Sequence, residues 1–135
     1  MTVNSKDKFS LNSTLERDSD FICELDLCEL RLIRDGELDW FILVPKINDI
    51  VEILDLSRDN QLQLMDEINQ VSSLLKKNVS PKKINIAAIG NMVSQLHIHV
   101  IARFEADRAW PGVIWGTNSS KEYSVHRAKF WRDFF

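Results

Sequence analysis

Glycine and proline are scarce in this chain of 135 residues, with 4 and 3 copies. Their scarcity excludes a collagen-like repeat, a flexible linker tract and a low-complexity disordered chain. It also removes the glycine-rich phosphate loops, since neither G-x-G-x-x-G nor a Walker sequence is present. Cysteine is limited to Cys23 and Cys28, too few for a disulfide framework or a zinc ribbon. On one extended segment the two would face opposite sides, too far apart to bridge. Two reduced, small hydrophobes are expected, as in the cytoplasm. No run of 18 apolar residues exists, so no membrane-spanning helix is expected. Residues 1–8 are polar and lack the apolar segment of a secretory signal. An excess of one charge is missing too: 17 basic residues face 20 acidic ones, for a net charge of −3. The electrostatic footprint of a nucleic-acid-binding face is therefore absent. With 44% hydrophobic residues, the chain is expected to form one soluble domain over 1–135 with a single core.

The patterning that is present reads as α+β. Residues 9–17 suit a short helix, with Leu11 and Leu15 one turn apart and Ser10 as N-cap. Residues 21–34 read as extended, Asp35-Gly36 as a turn, and residues 40–44 as a buried strand halted by Pro45. Residues 57–77 form the strongest helical pattern, because Leu64, Ile68, Val71 and Leu75 share one face. Ser57 suits its N-cap, while Asp59 and Lys76 with Lys77 suit the opposite ends of the helix dipole. Two extended segments, 83–89 and 94–104, follow on either side of Gly90-Asn91-Met92. Trp110-Pro111-Gly112 reads as a loop. Residues 119–135 are expected to be helical, with Phe130, Trp131, Phe134 and Phe135 docked on the core or on a partner subunit.

Chemistry concentrates at Gln95, His97 and His99. On a strand these share one face, while Leu96, Ile98 and Val100 share the other and pack inward. Two of the chain's three histidines thus sit together on a rigid support. Three readings fit a His-x-His face: a polar sheet surface, a pair of metal ligands, or an imidazole nucleophile. A catalytic metal needs a third strong ligand. Gln95 is a poor one, and His126 lies in another element.

The series Asn85, Gly90-Asn91-Met92-Val93-Ser94, then Gln95-Leu96-His97-Ile98-His99-Val100, resembles the signature of the histidine triad (HIT) family, His-φ-His-φ-His-φ-φ with φ apolar. Residues 40–46 are similar to the family's apolar strand ending in Pro-Lys. Residues 110–112 are similar to a Trp-Pro element found after the motif in one branch. The close match covers residues 83–101, and the order of elements extends it over about residues 10–112. The resemblance implies an antiparallel sheet of about five strands packed by two helices, with a C-terminal extension from about residue 113.

It further implies hydrolysis or nucleotidyl transfer at a nucleotide α-phosphate, with His97 as nucleophile and a covalent nucleotidyl-histidine intermediate. An imidazole with a pKa of about 6.5 offers an unprotonated nitrogen at neutral pH and divides the displacement into two steps. Preorganised donors must meet the phosphate charge; Gln95, His99, Asn85, Gly90, Asn91 and Met92 are the candidates. No cofactor or metal is implied. The implied partners are a nucleotide substrate and a second copy of the chain in a homodimer, for which Trp110, Trp115 and the aromatic tail offer surface.

Two positions depart from the pattern. Gln95 replaces the first histidine, and Met92 stands where a hydroxyl-bearing serine occurs in relatives. In the family a main-chain carbonyl at the first position orients the nucleophile, and that group survives any side-chain change. Ser94, as the strand neighbour of Gln95, should face away from the site. The ribose-contacting acid of some relatives aligns near the apolar Leu32, and Asp35 is better explained as a turn residue. A second reading is therefore a non-catalytic nucleotide-binding or regulatory protein.

Overall fold

The computed structural model describes residues 8–135; apart from Lys8, the polar start of the chain lies outside them. The elements run α1 (Ser13–Asp18), β1 (Ser19–Glu24), β2 (Cys28–Ile33), β3 (Trp40–Pro45), a 3-10 turn at Ile53–Asp55, α2 (Arg58–Val79), β4 (Lys83–Ala87), β5 (Ile98–Arg103) and α3 (Val125–Arg132). One five-stranded sheet has the order β1-β2-β3-β5-β4. Every neighbouring pair is antiparallel, as expected for this α+β pattern.

Strand alternation divides the sheet into two working faces. Leu30, Leu32, Phe41, Leu43, Ile98, Val100 and Ala102 meet Leu64, Ile68, Val71 and Leu75 of α2 in the main core. Apart from Ala102, each such side chain contributes about 1.5–3 kcal/mol on burial. The intervening residues face the opposite side. There Leu15 of α1 packs on Ile42 and Val44, and Leu38, Ile101 and Ile114 form a further cluster with Trp40 and Trp115 against it. The histidines open between these two patches.

Helix α2 matches its sequence signals. Ser57 Oγ accepts the Asn60 N–H, Asp59 lies in the first turn and Lys76 and Lys77 in the last. Ser80, with φ 50°, ends it in the left-handed region. Helix α1 starts later than expected, at Ser13, because Asn12 rather than Ser10 is the cap and accepts from the Thr14 and Leu15 N–H groups.

Residues 21–34 form a hairpin instead of one strand. The turn at 25–27 carries no glycine or proline; its Leu27 and Cys28 N–H groups donate, at 2.8 Å each, to the two carboxylate oxygens of Glu67 on α2. Cys23 and Cys28 accordingly lie on neighbouring strands, and both are free thiols. Strand β4 ends at Ala87, two residues short of expectation, and β5 begins at Ile98 rather than at residue 94.

The C-terminal segment folds back on its own chain. Its helix is shorter than the 119–135 expected, and Trp131 is fully buried, edge-on to Phe41 with ring centroids 5.1 Å apart. The Trp131 indole and the Arg127 guanidinium both donate to Asp39. Upstream, Arg108 pairs with Asp35 and Glu37. Asp35 also accepts from the Glu37 and Leu38 N–H groups, the turn role read from sequence. Gly36 lets this segment approach: a Cβ there would lie 2.1 Å from the Lys121 carbonyl oxygen.

Candidate active site

His97 and His99 are both 7% exposed, and their rings meet edge to face at 4.9 Å between centroids. Both line an open cleft of about 630 Å³, a volume suited to a small-molecule ligand. Leu15, Ile33, Trp40 and Trp115 supply its apolar walls, and Thr14, Arg17, Asp18 and Arg34 its polar margin. Gly90, Asn91 and Met92 line it too. Gly90 has φ +65°, a left-handed conformation that glycine adopts without strain.

The ring tautomers follow from the partners. His97 Nδ1 lies 2.7 Å from the Gln95 carbonyl oxygen. A carbonyl only accepts, so Nδ1 carries the proton and Nε2 of the neutral ring keeps its lone pair. His99 has the reverse arrangement. The Trp40 indole donates to His99 Nδ1 at 2.9 Å, and an indole N–H can only donate. His99 is thus a neutral ring with its proton on Nε2. Burial, and then the neighbouring His97, pull its pKa from 6.5 down to about 4. Trp115 stands edge-on to the same ring at 5.2 Å. One lone pair and one N–H therefore sit side by side on a buried support.

Two expected residues do not reach the cleft through their side chains. Gln95 lies before β5, where strand alternation no longer holds, and its amide turns toward the N-terminal segment. It accepts the Asn12 N–H at 2.8 Å and donates to the Ser10 carbonyl at 2.9 Å; only its main-chain carbonyl serves His97. Asn85 accepts from Arg103 at 2.8 Å instead of facing a ligand. Arg103 is 2% exposed and also holds Asp107 and the Gly112 carbonyl. Its hydrogen bonds keep the Asp107 carboxyl far below the usual range. This cluster braces the loop after β5. Ser94 is exposed and, like Gln95, lies outside the cleft, although strand alternation would put the two on opposite faces. Met92 is 97% exposed, and its side chain carries no exchangeable proton.

Sequence reading missed Trp40 and Trp115 as site residues. Trp40 shares strand parity with Ile42, which pairs with His99, so the signal existed once the strand pairing was known. Trp115 gave no local signal. Among the described residues, no third His, Cys, Asp or Glu joins the two histidines to make a metal cluster.

The geometry has counterparts among known proteins. The HIT domain model matches residues 14–106. The chain belongs to the histidine triad family. Crystal structures of HIT proteins from Sinorhizobium meliloti 1021 and Bradyrhizobium japonicum share 42% and 40% identity with it, each with a TM-score of 0.88. The alignments cover 93% of this chain and 93% and 94% of those proteins. A histidine triad protein from Marinobacter aquaeolei VT8 is 35% identical, with a TM-score of 0.87 over 93% of this chain and 92% of that one. No curated protein matches the chain. The matched span contains both histidines and the Gln95 carbonyl that accepts from His97.

Proposed function

We propose that this HIT protein is a nucleotide hydrolase or nucleotidyl transferase acting at an α-phosphate, with dinucleoside polyphosphates or nucleoside phosphoramidates as substrate classes. The observation that carries the reading is the opposed tautomers of His97 and His99. In the first step the His97 Nε2 lone pair attacks the α-phosphorus. A P–N bond forms while the bond to the leaving group breaks, and that group departs with its electron pair and takes up a proton. In the second step water, or another acceptor, attacks the phosphorus and gives up a proton to solvent, while the bond to His97 breaks and its electron pair returns to Nε2. His99 Nε2–H and the main-chain N–H groups of the 90–93 turn donate to the non-bridging oxygens, whose negative charge must be stabilised throughout. A donor that stays neutral needs no desolvation of a charge when substrate arrives. Leu15, Ile33 and Trp115 supply apolar area for the nucleoside.

The same reading includes a cytoplasmic homodimer with no nucleic-acid or membrane partner. Trp115 and Trp131 are used within the chain, so the outer edge of β4, with Ile86 and Ile89 exposed beside it, is the surface offered to a second copy. No helix among the described residues is long and apolar enough to cross a membrane.

One observation favours a binding protein without turnover: Met92 brings no hydroxyl to protonate a leaving group. Turnover of a dinucleoside polyphosphate and of a nucleoside phosphoramidate by the parent chain and by His97→Ala separates the readings. Turnover abolished by the substitution supports catalysis. Tight binding with no turnover by either protein supports the binder.

A further inference from the structure

We infer that Gln95 is a positioning residue that locks α1, one wall of the nucleotide cleft, to the loop that aims the nucleophile. Its primary amide presents a donor and an acceptor side by side, as a peptide group does. It uses both on the backbone at 10–12: Oε1 takes the Asn12 N–H at 2.8 Å and Nε2 gives to the Ser10 carbonyl at 2.9 Å. Asn12 in turn caps α1, with Oδ1 accepting from the Thr14 N–H at 2.8 Å. Thr14, Leu15, Arg17 and Asp18 of that helix face the cleft. The main-chain carbonyl of the same Gln95 fixes the His97 tautomer at 2.7 Å. Wall and nucleophile are thus tied through one residue. A helix of only six residues is not held by its own hydrogen bonds alone; the clasp acts at its N-terminal end, beside the packing of Leu15 on Ile42 and Val44. The part of this inference that concerns substrate rests on the nucleotide reading; the clasp itself does not.

The pairing is specific to an amide. Histidine, the residue of the family motif, cannot offer adjacent donor and acceptor in that geometry. Glutamate keeps the acceptor for Asn12 but sets a lone pair against the Ser10 carbonyl until its carboxyl is protonated. Amide hydrogen exchange in the parent chain, Gln95→Ala, Gln95→His and Gln95→Glu reads the clasp directly. Loss of two hydrogen bonds, each of ordinary strength, should lower protection at Asn12 and Thr14–Asp18 about tenfold or more, with α2 unchanged. Gln95→Glu should regain protection relative to Gln95→Ala as pH is lowered to about 4.5, near the usual carboxyl range. For active enzyme, KM should rise in the three variants by the reciprocal of the docked fraction. The adduct-forming rate at saturation should stay within about threefold, because the orienting carbonyl remains. Unchanged protection at Thr14–Asp18 in Gln95→Ala, equal loss across α2, or faster turnover by Gln95→His would each overturn the inference. The exchange experiment gives its answer even if no nucleotide is turned over.

Discussion

A neutral His99 makes the protein acid-sensitive by a calculable amount. The folded pKa is lowered from 6.5 to about 4, by burial first and by His97 second. As pH falls below about 6.5 the unfolded chain takes up this proton while the folded one does not, so stability is lost with falling pH. The contribution is fully present above the unfolded pKa and fades until the folded pKa is passed. Lowering from 6.5 to about 4 corresponds to about 3 kcal/mol at about 1.36 kcal/mol per tenfold. Between about pH 7.5 and 4.5 this single group should cost about 2–3 kcal/mol. Protonation would also set His99 Nδ1–H against the Trp40 indole N–H, which removes their hydrogen bond. Urea unfolding of the parent chain and of His99→Gln at both pH values isolates the effect, since carboxylates titrating in that range are common to both. Glutamine keeps an acceptor for the indole and does not titrate. The parent should lose about 2–3 kcal/mol more than the variant on acidification. Equal losses, or an NMR titration of His99 near its ordinary value, would refute the reasoning.

Three further outcomes follow from the packing. Trp40→Phe removes the donor that fixes the His99 tautomer, and should cost about 1 kcal/mol of stability; imidazole nitrogen NMR should show proton occupancy spreading from Nε2 to Nδ1. Gly36→Ala sets a Cβ against the Lys121 and Glu122 backbone, and should destabilise by about 1–3 kcal/mol in urea unfolding by displacing the C-terminal segment. Arg103→Met leaves the Asp107 carboxylate, 5% exposed, without its cation. It should cost about 3–5 kcal/mol, and Arg103→Met with Asp107→Asn should recover part of that loss in the same assay.

The elements legible in the sequence were those with local causes. The stripe from Leu64 to Leu75 and the Ser57 cap define α2 by spacing alone, and Ile98 and Val100 on either side of His99 mark the start of β5. Sequence reading went astray where a distant partner decided the structure. The hairpin turn at 25–27 is built by Glu67, some 40 positions away, so no turn residue announced it. Asn12, whose backbone N–H donates to the distant Gln95 amide, caps α1 in place of Ser10. The same contact drew Gln95 out of the cleft, although the alternation of Gln95, His97 and His99 looks unbroken on paper. The motif position of Asn85 points to a ligand contact, whereas its commitment to Arg103 depends on burial that spacing does not encode. The His97–Gln95 carbonyl contact is one the family resemblance implies, and a main-chain group does not depend on the side chain carried there.

The central claim is that His97 Nε2 forms a bond to phosphorus. Rapid mixing of the protein with a dinucleoside polyphosphate or a nucleoside phosphoramidate, acid-free quenching and peptide mass spectrometry test it most directly. A nucleoside monophosphate adduct is expected on the peptide carrying His97, at that residue, and none in His97→Ala. An adduct on another residue, or product release with no adduct at any time point, would contradict it.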